Sequence, residues 1–144
     1  MYPEGQEILV VIDDADCRQR SAAILRDEGF SVTEAAAGLA ALRAIGARRF
    51  ALIVVAMQLP GSLDGRTTVR QARTRQPWLK ALLIENHHSE NRARPALNNL
   101  DSDDLIFAPF ERHELIGCIF ELLHRGAAAS YDLARRARTV LRAG

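Results

Sequence analysis

The feature that most limits the fold is a set of short apolar runs separated by helical patterns. Glu7-Ile8-Leu9-Val10-Val11-Ile12 and Ala51-Leu52-Ile53-Val54-Val55-Ala56 are apolar almost without interruption. A strand with one wet face alternates apolar and polar residues. A run without alternation needs both faces covered, as in a parallel sheet between helices. Ala81-Leu82-Leu83-Ile84 and Leu105-Ile106-Phe107 repeat the pattern, and Phe30-Ser31-Val32-Thr33 is a short alternating strand. Helical spacing fills the intervals. One helix is expected from about Asp16 to Glu28, with Ile24 and Leu25 inward and Gly29 closing it where positive φ is required. Leu39, Leu42 and Ile45 mark a second, ending near Gly46, and a third covers about Thr67 to Arg75 before Pro77 precludes extension. Glu111 to His124 is amphipathic, with Leu115, Ile116, Ile119, Phe120, Leu122 and Leu123 on or near its buried side. Residues 86–100 hold two histidines, several asparagines and Pro95, so any helix there is short or broken.

Strands alternating with helices predict an α/β fold, a doubly wound five-stranded parallel sheet. In such sheets function sits at the C-terminal strand ends, here Asp13 and Asp14, Ala56, Glu85 and Ala108. The 144 residues suffice for one domain and one sizeable core. The two cysteines, Cys17 and Cys118, form no CxxC pair and read as reduced thiols on helices. No apolar run is long enough to span a bilayer and no leader is evident, so a soluble cytoplasmic protein is expected. Net charge is +1, of which residues 126–144 contribute +3 (four arginines against Asp132), leaving −2 on residues 1–125. That body lacks the basic excess of a nucleic-acid binder.

Several motifs in order carry a family resemblance. Ile8-Leu9-Val10-Val11-Ile12-Asp13-Asp14 is a strand ending in an acidic pair. Leu59-Pro60-Gly61-Ser62-Leu63-Asp64-Gly65 is a loop after the third strand. Pro109-Phe110 follows the fifth strand, and Glu114-Leu115 falls where the last helix begins. Over residues 6–125 this order resembles the response-regulator receiver family of two-component signalling, which has a flavodoxin-like fold. The resemblance implies phosphoryl transfer from a histidine kinase to an aspartate at the end of the third strand. It also implies a magnesium ion held by the acidic pair and the acceptor, a hydroxyl residue ending the fourth strand and a lysine ending the fifth. Asp13 and Asp14 match the acidic pair. Ala56 stands at the acceptor position, Glu85 at the hydroxyl position and Ala108 at the lysine position. A methyl group can neither attack a phosphoryl donor nor ligate a metal. A carboxylate at about 4 Å from a phosphoryl dianion repels it by several kcal/mol at an effective dielectric near 20.

A degenerate, or pseudo-receiver, member is therefore expected. It would not be an enzyme, would need no cofactor and would keep only a vestigial, weak Mg2+ site at Asp13 and Asp14. Its carboxylates would be solvated or paired with an arginine such as Arg66. Phe107, the fifth strand's aromatic, stands one step off the family's switch position and reads as ordinary packing. The resemblance implies a cis Ala108-Pro109 bond. Glu85, Phe107, Pro109 and Phe110 are the residues expected at a switch or interaction surface.

The resemblance further implies output through the face of the fourth helix, fifth strand and fifth helix. The expected partners are a histidine kinase or another signalling protein, or a second copy through that face or the C-terminal helix. Neither nucleic acid nor membrane is an expected partner. Residues 1–125 form the receiver-like domain. Residues 126–144 read as a linker and a short basic amphipathic helix, capped by Ser130, with Leu133, Ala137, Val140 and Leu141 on one face. With no output domain after it, the chain is not expected to be a DNA-binding transcription factor itself.

Two alternatives remain open at this point. Asp13, Asp14 and Glu85 could form a switch gated by a metal or small ligand. Asp14-Ala15-Asp16 also fits the DxD start of haloacid-dehalogenase-like phosphatases, with Asp103-Asp104 as the late acidic pair, although the Gly-Thr that normally follows is missing. Around Glu85, His87-His88 and Glu90 lack a well-spaced further ligand and read as a solvated loop. His113 and His124 are expected on the surface, and Trp78 as a partly buried loop anchor.

Overall fold

The computed structural model describes residues 6–86 and 102–125. Nine elements follow one another in these residues: β1 (Glu7–Val11), α1 (Ala15–Asp27), β2 (Ser31–Ala35), α2 (Gly38–Ala47), β3 (Leu52–Ala56), α3 (Gly65–Arg75), β4 (Lys80–Asn86), β5 (Asp104–Ala108) and α4 (Arg112–Arg125). The helix weighed for residues 86–100, the His87-His88 loop and the basic helix of 126–144 lie outside the described residues. The terminal amphipathic helix, fifth in the sequence reading, is therefore α4.

All five strands pair in parallel, in the order β2-β1-β3-β4-β5. Alternation sends successive side chains to opposite faces, and both faces are covered. Leu9, Val11, Ile53, Val55, Ala81, Leu83 and Leu105 pack with Ala41 and Ile45 of α2 and Val69 and Ala72 of α3. Ile8, Val10, Leu52, Val54, Leu82, Ile84 and Ile106 pack with Leu25 of α1 and Leu115, Ile119 and Leu122 of α4. The continuous apolar runs thus have the physical cause expected of them. At about 1.5–3 kcal/mol for each fully buried aliphatic side chain, these two layers dominate the folding energy.

Local signals set most element ends. Asp14 caps α1, its Oδ2 accepting the Cys17 N–H at 2.8 Å, and Asp64 caps α3 by accepting from Thr67 N–H at 2.8 Å. Gly29 adopts φ +96° after α1, the conformation foreseen for it. Gly65 meets a different demand: a Cβ there would lie inside contact distance of the Ala56 carbonyl oxygen, so α3 starts hard against the end of β3. The Ala108-Pro109 bond is cis, as expected. Cys17 on α1 and Cys118 on α4 are not in disulfides.

Leu39, Leu42 and Ile45 do lie on one helix, but Leu39 is 59% exposed, because α2 turns Gly38, Ala41 and Ile45 to the core. Trp78 is the anchor foreseen, although it is 45% exposed: its Nε1–H donates to the Phe50 carbonyl at 2.9 Å and Arg49 stacks on its ring at 4.1 Å. Gln76, unremarked in the sequence, is a buried joint. Its Nε2 donates to the carbonyls of Ile45 (2.9 Å) and Arg48 (2.8 Å), and its Oε1 accepts the Phe50 N–H (2.9 Å).

Candidate functional site

The strand order reverses between β1 and β3, and a cleft of about 500 Å³ opens at the C-terminal ends of the strands there. Asp13, Asp14, Ala56, Glu85, Ala108 and Pro109, all singled out from sequence, line it. Ile12, Cys17, Arg20, Gln58, Ile84 and Asn86 complete the wall.

Each side chain arrives by a definable route. β1 delivers Asp13 and Asp14 to its open end. Arg18 holds that turn by donating to the carbonyls of Ile12 (2.9 Å) and Asp13 (3.2 Å). Asp13 is exposed, whereas one oxygen of Asp14 is committed to capping α1. Ala56 ends β3 on the α1/α4 side of the sheet, beside Ile84 in the register. Ala108 ends β5 on that same side. Glu85 is 8% exposed, and its Oε1 accepts the Asn86 N–H at 2.9 Å. Burial pushes the Cys17 thiol above its ordinary range, only partly offset by Ser21 and Arg20.

The family's magnesium site does not fit these residues. Ala56 supplies no ligand, Asp14 is partly used as a cap, and among the described residues no three His, Cys, Asp or Glu side chains group to hold a metal ion. The guanidinium lining the cleft belongs to Arg20, not Arg66. Arg66 lies in the first turn of α3, while Arg20 also reaches over the Phe110 ring at 5.4 Å.

Of the aromatic residues expected near the switch surface, one is placed otherwise and one as its packing implied. Phe110 is a core residue at 5% exposure, packed among the α1/α4 side chains, and so cannot itself be a contact residue. Phe107 is half-buried against the α2/α3 layer in register with Glu85, which is the ordinary packing expected of it. A phosphatase centre of the DxD type lacks its late acidic pair. Asp103 and Asp104 stand at the start of β5, at the opposite end of the sheet from Asp14 and Asp16. Asp103 there pairs with Arg73 Nη2 at 2.5 Å and accepts the Ala81 N–H at 2.9 Å. His113 and His124 are on the surface, as expected.

Sequence reading missed Cys17, Arg20, Gln58 and Asn86. Helical spacing could have found the first two, since they sit three apart on the face of α1 that follows Asp14. Gln58 lies just past the end of β3 and Asn86 is the last residue of β4, where alternation stops being a guide.

The sequence model of the response regulator receiver domain matches residues 8–120. The nitrogen assimilation regulatory protein NtrX of Azorhizobium caulinodans is 33% identical over 113 residues, 78% of this chain and 25% of that protein. The crystal structure of NtrX from Brucella abortus in complex with ADP superposes with a TM-score of 0.76 at 29% identity, over 94% of this chain and 30% of that one. A CheY-like receiver domain protein of Methanospirillum hungatei superposes with a TM-score of 0.75 at 26% identity, over 85% of this chain and 97% of that one. The chain therefore spans about a quarter of the length of the NtrX relative it matches.

Proposed function

The chain belongs to the response regulator receiver domain family of two-component signalling, and on that premise we propose that it works without the aspartyl phosphate, by protein–protein interaction. Ala56 carries this reading. The acceptor carboxylate would have to stand at the end of β3, and a methyl group stands there instead, lining the cleft. Two neighbours reinforce it. Ala108 leaves no ammonium to hold phosphoryl oxygens, and the buried Glu85 carboxylate repels an incoming dianion by roughly 4 kcal/mol per unit charge at about 4 Å. Magnesium then binds weakly at most, through Asp13 and the free oxygen of Asp14, and no cofactor is required.

The domain is not an enzyme in this reading. It docks on a histidine kinase or another signalling protein, or on a second copy, using the β5 and α4 side of the fold, in the cytoplasm where such kinases present their catalytic domains. Incubation with acetyl phosphate and magnesium, followed by intact-mass measurement, tests it. No adduct is expected; a hydroxylamine-sensitive phosphoryl adduct would overturn it.

One observation favours a second reading, a switch gated by a small ligand. The cleft combines apolar walls (Ile12, Ile84, Pro109) with Asp13, Glu85 and Arg20, a lining suited to a small zwitterion or amine. A metabolite-sized amine that raises the melting temperature of the wild type but not of Glu85→Gln would establish it.

A further inference from the structure

Away from the strand ends, the outer faces of α2 and α3 form a second feature that the family assignment does not use. Leu39, Leu42, Arg43 and Gly46 on α2 line a groove of about 640 Å³ opposite Gln71, Thr74 and Arg75 on α3. The first row follows i, i+3, i+4, i+7 spacing on α2 and the second i, i+3, i+4 spacing on α3, so each is one stripe of its helix. Gly46 and Arg75 also line the next concavity, of about 370 Å³, which reaches Trp78. The two hollows thus adjoin at Gly46 and Arg75, and together they are the α2/α3 trough.

Leu39 and Trp78 are the exposed large hydrophobic side chains among the described residues, at 59% and 45%. Scattered singly, such residues need no explanation. Here they stand at the two ends of the same trough, with half-buried Leu42 between them.

The charge is just as uneven. Arg43, Arg48, Arg49 and Arg75 line the trough, and among the described residues no carboxylate lines either hollow. Arg48 reaches Glu7 at 3.3 Å, while Arg49 is engaged with the Trp78 ring. Yet residues 1–125 sum to −2 (15 Lys and Arg against 17 Asp and Glu). Cations gathered around aliphatic and aromatic contacts, on a body of opposite sign, specify an occupant with acidic flanks and an apolar stripe.

We propose that this α2/α3 trough is a docking groove for an acidic amphipathic helix of a partner protein. The ten residues of α2 extend about 15 Å, which suits contact with about three turns of a bound helix. Leucine-type side chains would meet Leu39, Leu42 and Trp78, and glutamates would meet Arg43 and Arg75. The chain's own residues 126–144 are a poor occupant, since their +3 charge matches the trough in sign. A nucleic acid fits less well: aliphatic Leu39 and Leu42 offer a phosphodiester nothing, and strands leaving the trough would meet the acidic body. The proposal does not depend on how the strand-end cleft is used, and its test leaves that cleft untouched.

A fluorescein-labelled synthetic peptide of about four helical turns, with leucines on one stripe flanked by glutamates, is titrated with the full chain. A scrambled peptide of equal composition serves as control. Saturable binding is expected, weaker by about tenfold or more for the scrambled peptide, for Arg43→Glu/Arg75→Glu and for Leu39→Ala/Trp78→Ala. Backbone amide shifts are expected across 38–47 and 65–78. All four altered side chains are exposed, so unchanged circular dichroism should accompany the lost binding. Equal binding of the scrambled peptide, or shifts centred on Asp13 and Glu85, overturns the proposal. So does a single-stranded oligonucleotide that binds where the peptide does not. Arg75-dependent self-association without peptide binding would assign the trough to a second copy, and likewise overturns it.

Discussion

Asp64 shows how much one exposed side chain can fix. Its carboxylate accepts the Thr67 N–H at the start of α3, and that backbone hydrogen bond is the main reason its pKa lies below the ordinary carboxylate value. Burial opposes it, second in size only to that bond, while the Thr67 hydroxyl and the charges of Arg66 and Arg70 act in the same direction as the bond. A folded pKa below the unfolded one means that the ionised cap adds stability above the usual carboxylate range. That stability is lost as pH falls through the folded value. Asp64→Ala should therefore cost about 1 kcal/mol near neutral pH. In urea titrations the gap from wild type should close as pH is lowered below about 4. A gap that stays constant down to acid would show that the cap acts by shape alone. Asp64 was legible as part of a family loop, but its capping role needs the helix start at Gly65, which the sequence reading put two residues later. Gly65 itself was silent, because what demands glycine is the Ala56 carbonyl pressed against it from another element.

Between elements, Gln76 is the joint that sequence could not reveal. It follows α3, yet its amide ties together the end of α2 and the start of the chain into β3, with partners 26 and 31 residues away. Replacing it by leucine strands the Phe50 N–H and two carbonyls in a buried site. About 3 kcal/mol or more of stability should be lost, at roughly 1–3 kcal/mol for each of the three groups left without a partner. Faster hydrogen exchange at the Phe50 amide should accompany the lower urea midpoint; an unchanged midpoint would mean that water replaces the side chain. The strands were readable because burial on both faces leaves a local mark, an unbroken apolar run. The inward side of α2 was not. Its close approach to α3 calls for the small side chains of Gly38 and Ala41, so Leu39, the bulkier residue, is left outside. Length was misjudged for the same kind of reason in β4, which continues through Glu85 and Asn86 because β5 pairs with them, a long-range partner no local pattern announces.

The whole molecule keeps a receiver's frame, and on the function proposed above its strand ends lack three phosphoryl contacts. Asp13 and Asp14 still occupy the mouth of β1, Gly65 still brings α3 against β3, and Pro109 still turns the chain beneath the cleft. If the scaffold is intact and only the contacts are missing, restoring them should restore the chemistry, and in a particular order. Ala56→Asp alone adds a carboxylate to a cleft already holding Asp13, Asp14 and Glu85. Mutual repulsion should lower the melting temperature without magnesium, and magnesium should recover it, since a cation bound only by the folded state stabilises it by RT ln(1 + [L]/Kd). Little phosphoryl adduct should form, because Glu85 still opposes the dianion and Ala108 offers no cation. Adding Glu85→Thr removes the repulsion, and Ala108→Lys then supplies the missing charge. The triple variant should accumulate a hydroxylamine-sensitive adduct from acetyl phosphate, the single variant far less, and the wild type none. Because the three positions act on one charge, their effects should exceed the sum of the single changes. Equal phosphorylation of single and triple variants would show that Glu85 and Ala108 are neutral bystanders, and that the alanine at the end of β3 alone silences the site.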